Sequence, residues 1–80
     1  MSDQEHLLLI AEALDCPVET LDRDSALGRH PAWDSMGQLN IMLALERRFG
    51  LPITDETIRV SQSVEGVRAT FERHGAPRNT

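Results

Sequence analysis

"DSMGQLNIMLALERRFGLP", residues 34–52, is the stretch that decides how this chain folds. Turned through 100° per residue from Met36, the side chains of Leu39, Ile41, Met42, Leu45 and Phe49 fill one broad arc, from about 140° to 300°. That is helical periodicity, and the spacing predicts a helix over 35–49. Gly50 stands where a helix ends in a left-handed residue, and Pro52 closes the exit. So wide an apolar arc suits a central helix that touches several neighbours. Gly37, Asn40, Ala44, Arg47 and Arg48 occupy the remaining sector and are expected to face water. Met36 and Leu43 lie at the border between the two. Such a mixed border is what a docking surface for a partner looks like, and it is equally what two residues completing the core would look like.

Upstream, Ser2-Asp3-Gln4-Glu5 has capping-box spacing, with Ser2 as N-cap and Glu5 reaching back. The helix that follows carries Leu7, Ile10, Ala11 and Leu14 on one stripe and is expected to stop before Pro17. "CPVETLDRDSALGRHPAW", residues 16–33, reads as a long loop anchored by Val18, Leu21 and Leu27. Loops of this length in a small domain more often serve a function than merely connect. Downstream, "TDETIRV" (54–60) offers one or two helical turns. Ser63 can cap a last helix in which Val64, Val67 and Phe71 share a face. The tail "GAPRNT" is expected to fray. No stretch alternates as a strand does. The expectation is an all-α fold: a small three-to-four-helix bundle with a long loop between its first two helices. It forms a single domain over 1–80, ordered over about 3–75.

Eighty residues with three aromatic side chains, Trp33, Phe49 and Phe71, can bury only a modest core. No apolar run approaches the roughly 20 residues needed to span a bilayer, and the N-terminus lacks a basic-then-apolar leader. The cytoplasm is the expected compartment, without membrane insertion. Cys16 is alone, which excludes an internal disulfide and a cysteine-built zinc site. It suits loop packing better than thiol chemistry. His6, His30 and His74 are too widely spaced for a metal site, so no metal is expected. The net charge of −5 is unevenly spread: residues 1–40 carry eight acids against Arg23 and Arg29, and residues 41–80 five acids against six arginines. So acidic a chain is a poor ligand for nucleic acid, whose phosphates need a basic surface.

Ser35 admits three readings. With Gln38 it has capping-box spacing, and in the first it only satisfies orphan amides at the start of the helix. As a hydrolytic nucleophile it would need a base and an oxyanion hole, and neither His30 nor His74 lies in a motif that brings it near. In the third reading, a serine exposed where a long loop meets a helix is presented to another enzyme for modification. Helix-terminal amides and the helix dipole favour an anion there. Trp33, two residues before it, serves either as a loop anchor or as part of a surface for the modifying enzyme. The anchor is preferred, because indole is mostly buried.

"WDSMGQLNIMLALERRFGLPITDETI" (33–58) resembles the acyl carrier protein family, in which Asp-Ser-Leu or Asp-Ser-Met marks the attachment of 4′-phosphopantetheine. The likeness runs from the first helix and long loop through Asp34-Ser35-Met36, "LALERRFG" and "ITDETI" to the final "SVEGV". It implies that Ser35, flanked by Asp34 and Met36, takes the arm from coenzyme A through a phosphopantetheinyl transferase. The arm's thiol then carries an acyl or aminoacyl thioester between a loading enzyme and a downstream transferase or synthase. The protein itself does no chemistry and works as a monomer. Met36, Asn40, Leu43 and Arg47 match the family's partner-docking face. Leu39, Leu45, Ile53 and Ile58 match positions lining the space where cargo shelters. The alternative is a helical interaction module of the same fold that is never modified.

The pattern departs from fatty-acid carriers, whose second helix is usually acidic. Here Asn40, Arg47 and Arg48 interrupt that face and leave Glu46 as its one acid, so a basic fatty-acid synthase surface is disfavoured. "WDSMG" is closer to free-standing carriers of specialised pathways, with some similarity to D-alanyl carrier proteins. The Gly-Gly pair usual in peptidyl carriers is missing.

Overall fold

The computed structural model describes residues 4–74. Among these residues four helices follow in order, α1 (Glu5–Leu14), α2 (Ser35–Phe49), α3 (Asp55–Val60) and α4 (Val64–His74), with a 3-10 turn over Val18–Thr20. The expected Ser2 cap and the expected frayed tail at 75–80 lie outside the described residues. No strand occurs among the described residues, and the fold is the all-α bundle that the periodicity predicts.

α1 packs chiefly against α2, and also against α4 and the 3-10 turn. It buries His6, Leu9, Ile10, Ala11 and Leu14. Leu7, expected on that stripe, is half-buried at its edge. The helix stops three residues short of Pro17. Asp15 takes a left-handed conformation (φ 56°), and the amides of Asp15 and Cys16 turn back to donate to the carbonyls of Glu12 and Ala11. Aspartate tolerates that conformation better than most residues with a side chain.

In α2 the buried face is turned from where the apolar arc puts it. Gly37, Gln38, Ile41, Met42 and Leu45 are buried and Ala44 is half-buried, whereas Leu39 is 45% exposed. The cause is the close approach of α1 and of the end of the long loop. A Cβ on Gly37 would stand 2.5 Å from Leu14 Cδ2 and 2.6 Å from the Ala32 carbonyl. Small residues let helices approach, so Gly37 and Ala44 belong to the contact with α1 and not to the solvent sector. Arg48 is exposed as expected, but it does not stand free. Its guanidinium meets Glu5 Oε1 at 3.0 Å and lies 5.1 Å from the centre of the Phe71 ring. α2 reaches α4 through its side chains, with Phe49 edge-on to Phe71 at 4.9 Å. Gly50, at φ 71°, ends the helix as expected.

The long loop is built into the core. Leu21 and Trp33 are buried and Val18 packs half-buried against them. Leu27, expected as a third anchor, is 37% exposed. Backbone pairing does the anchoring there instead: Ala26 and Ser63 form an antiparallel bridge, with Leu27 N donating to Gln62 O at 2.9 Å and Val64 N to Ser25 O at 3.0 Å. α3 opens with a reciprocal capping box between Thr54 and Thr57 and buries no residue. Ser63 Oγ accepts from Gly66 N at 3.1 Å at the start of α4, whose Val64, Val67, Thr70 and Phe71 face inward.

Candidate functional site at the start of helix α2

The chain enters α2 through Trp33, Asp34 and Ser35. Asp34, and not Ser35, is the N-cap: its backbone is extended, and its Oδ1 accepts from Gly37 N at 2.9 Å. Aspartate and serine are both strong caps, so the capping-box spacing of Ser35 and Gln38 pointed one residue too far along. Ser35 is thereby the first helical residue. Its side chain is exposed and holds no hydrogen bond to another described residue. The structural task that would have explained the serine belongs to its neighbour.

Gln38, which would complete a serine capping box, turns inward. Its Oε1 accepts from the Trp33 indole N–H at 2.7 Å. Its Nε2 donates to Ser61 Oγ at 3.1 Å and to Ser61 O at 3.3 Å. Ser61 Oγ in turn donates to Thr57 O at 2.7 Å. Trp33 is wholly buried, Gln38 is 7% exposed and Ser61 1%. Each of these polar groups therefore has the partner that burial demands. Sequence reasoning missed Gln38 and Ser61. The signal was present: a glutamine near 200°, in the middle of the apolar arc of α2, must be buried and must find partners.

No histidine serves Ser35. His30 Nδ1 accepts from Ala32 N at 3.0 Å, and its Nε2 meets Thr20 Oγ1 at 2.9 Å, an oxygen that itself donates to Pro17 O. The Nε2–H tautomer satisfies both contacts and commits both ring nitrogens to the loop. His74 lies at the far end of α4, its ring 6.1 Å from Phe49. The hydrolase reading lacks its base among these residues.

The docking candidates lie on the outward side of α2. Met36 is 65% exposed, Asn40 and Arg47 are exposed, and Leu43 is half-buried. Arg47 also edges a groove between α1 and α2 that is lined by Leu8, Glu12 and Ala44. The cargo candidates differ in exposure. Leu39 and Ile53 are exposed at 45% and 41%, Ile58 is half-buried and Leu45 is buried. A cavity of about 170 Å³ beneath the exit of α2 includes Leu45, with Leu51, Val60, Thr70, Arg73 and His74 also in its walls. The other three cargo candidates are absent from its lining. No group of acids, histidines and cysteines among the described residues is arranged to hold a metal. No described helix is long and apolar enough to cross a membrane.

No protein-family model and no solved structure matches the chain. Over 64 residues it is 29% identical to "Acyl carrier protein 3" of Ralstonia nicotianae, a match that covers 80% of this chain and 74% of the relative. In that match, in the order of its helices and in the motif at the entry to α2, the chain is similar to an acyl carrier protein.

Proposed function

We propose that the chain is a carrier in which Ser35 holds 4′-phosphopantetheine and, through it, an acyl or aminoacyl thioester used in a specialised biosynthetic pathway. It is a carrier and not an enzyme. The observation that carries the reading is the Ser35 hydroxyl, exposed at the first position of α2 and free of any capping duty because Asp34 performs it. The residues fit the group. The helix start offers unspent backbone amides and the positive end of the helix dipole to a phosphodiester, and the hydroxyl meets no steric cover. In the transfer, the Ser35 oxygen bonds to the pantetheine-side phosphorus of coenzyme A. The pyrophosphate P–O bond breaks, the adenosine bisphosphate leaves, and the hydroxyl proton passes to a base on the transferase. When attached, the arm supplies a thiol that holds cargo as a thioester.

Met36, Asn40, Leu43 and Arg47 form the proposed docking face for the transferase, the loading enzyme and a downstream transferase or synthase. Met36 and Leu43 supply apolar contact, and Arg47 sets a positive rim that repels basic partners. Arg48, engaged with Glu5 and Phe71, is not part of this face. Leu39, Leu45, Ile53 and Ile58 remain the proposed contacts for cargo, with Leu39 and Ile53 available at the surface.

The test is labelling of Ser35→Ala by a broad-specificity phosphopantetheinyl transferase with coenzyme A, read by intact mass. The parent gains one arm and the variant none. Because Asp34 is the cap, the variant is expected to keep its stability within about 0.5 kcal/mol, so loss of labelling reports loss of the acceptor. Equal labelling of the variant would overturn the assignment. An unmodified mass for protein purified from its own host would favour the interaction module instead.

A further inference from the structure

We infer that Gln38 is a positioning residue for the modification of Ser35, an inference that rests on the carrier reading above. Trp33 stands just before the N-cap and Gln38 four residues after it, the two places where side chains commonly pack to set the angle at which a chain enters a helix. Here the pair is held by a buried hydrogen bond of 2.7 Å and not by apolar contact alone. The amide cannot be flipped, because its NH₂ would then face the indole N–H. Its other end is tied to Ser61, the C-cap residue of α3, which is tied in turn to Thr57 within α3. One carboxamide thus links the entry of α2 to the end of α3.

The link bears on the reaction because the acceptor is oriented through its backbone and not by a bond of its own. The Ser35 hydroxyl has no hydrogen-bonding partner of its own among the described residues. Its direction follows from the backbone between Trp33 and Gly37, which is held by the Asp34 cap on one side and the Trp33–Gln38 bond on the other. Group transfer needs the oxygen in line with the scissile P–O bond, and a misplacement of about 1 Å costs up to roughly a hundredfold in rate. The docking side chains Met36, Asn40 and Arg47 point outward, away from the buried carboxamide. Loss of the link should therefore leave transferase binding intact and slow the transfer.

The experiment compares parent, Gln38→Met and Ser61→Ala under the same transferase with coenzyme A, at a temperature where circular dichroism shows each folded. Gln38→Met keeps the volume and removes both ends of the link. Ser61→Ala removes only the side-chain oxygen at the far end and disturbs the core least. The expected result is a fall in kcat of about tenfold for Gln38→Met and about threefold for Ser61→Ala, with KM within about twofold of the parent. Adding Trp33→Phe to Gln38→Met leaves no unpaired indole N–H, at the cost of a void where the indole was, and kcat should stay low. A kcat within twofold of the parent in Gln38→Met, a change in KM alone, or a kcat that returns in the double variant would each overturn the positioning role. Those results leave the carrier reading standing. A parent that takes no arm at Ser35 takes both down.

Discussion

The chain enters α2 through residues 15–34 and leaves it through residues 50–54 and the short helix α3. The entry is the longer segment and has little regular structure, yet it places Leu21, Ser25 and Trp33 inside and ties itself by backbone bonds to residues 62–64. The exit has better local chemistry, with a glycine terminator and a capping box, yet α3 buries nothing and Ile53 and Val60 stand 41% and 37% exposed. Regular hydrogen bonding and structural firmness are separate properties. Burial decides the second, and a helix of six residues gains little from propensity alone.

Substitutions on the two sides should separate these regions, and the largest loss should come from Trp33. Trp33→Ala empties the volume of a wholly buried indole and orphans Gln38 Oε1, and it should cost about 3–5 kcal/mol in urea unfolding. A cost below about 1 kcal/mol would mean that the loop is not part of the core. Gly37→Ala comes next. The new methyl must push against Leu14 and the immovable Ala32 carbonyl, for a loss of about 1–3 kcal/mol by the same measurement. An unchanged midpoint would show that α1 and the loop end can simply move apart.

On the exit side, Thr54→Ala removes the α3 cap and should cost about 1 kcal/mol or less. Its clearer readout is hydrogen exchange. The α3 amides of Ile58 and Ser61 should exchange faster than those of Leu27 and Val64 already in the parent, and faster still in the variant. Equal protection of the two sets would erase the contrast. Ile53→Ser should be smallest, within about 0.5 kcal/mol. A loss above 2 kcal/mol would place Ile53 in the core in solution.

Much of this contrast was legible beforehand, and the failures share a cause. The helices, the Gly50 terminator, the Thr54–Val60 turn and the burial of Trp33 follow from local chemistry, which a sequence displays. Gly37 and Leu39 were misplaced, and Gln38 was overlooked, because residues were sorted by polarity. Packing sorts them by size and by partners: a glycine goes where a helix must come close, and a glutamine goes inside if an indole and a serine await it. The Asp34–Ser35 ambiguity spans one residue, which is finer than cap preferences resolve. Arg48 is exposed as expected, but its ion pair with Glu5, 43 positions away in the chain, was not foreseen. Non-local pairs of this kind leave no local trace.

The bridge between Ala26 and Ser63 also determines how the molecule would yield under load. With α1 and α4 pulled apart, tension passes from one to the other through the paired backbone at residues 25–27 and 62–64. Residues 28–61, which include α2 with Ser35 and the whole of α3, form the covalent loop that this junction closes. Because α1 packs on α2, the pull also reaches that loop through the helix contact. Parting of the junction would release on the order of 100 Å of contour in one step.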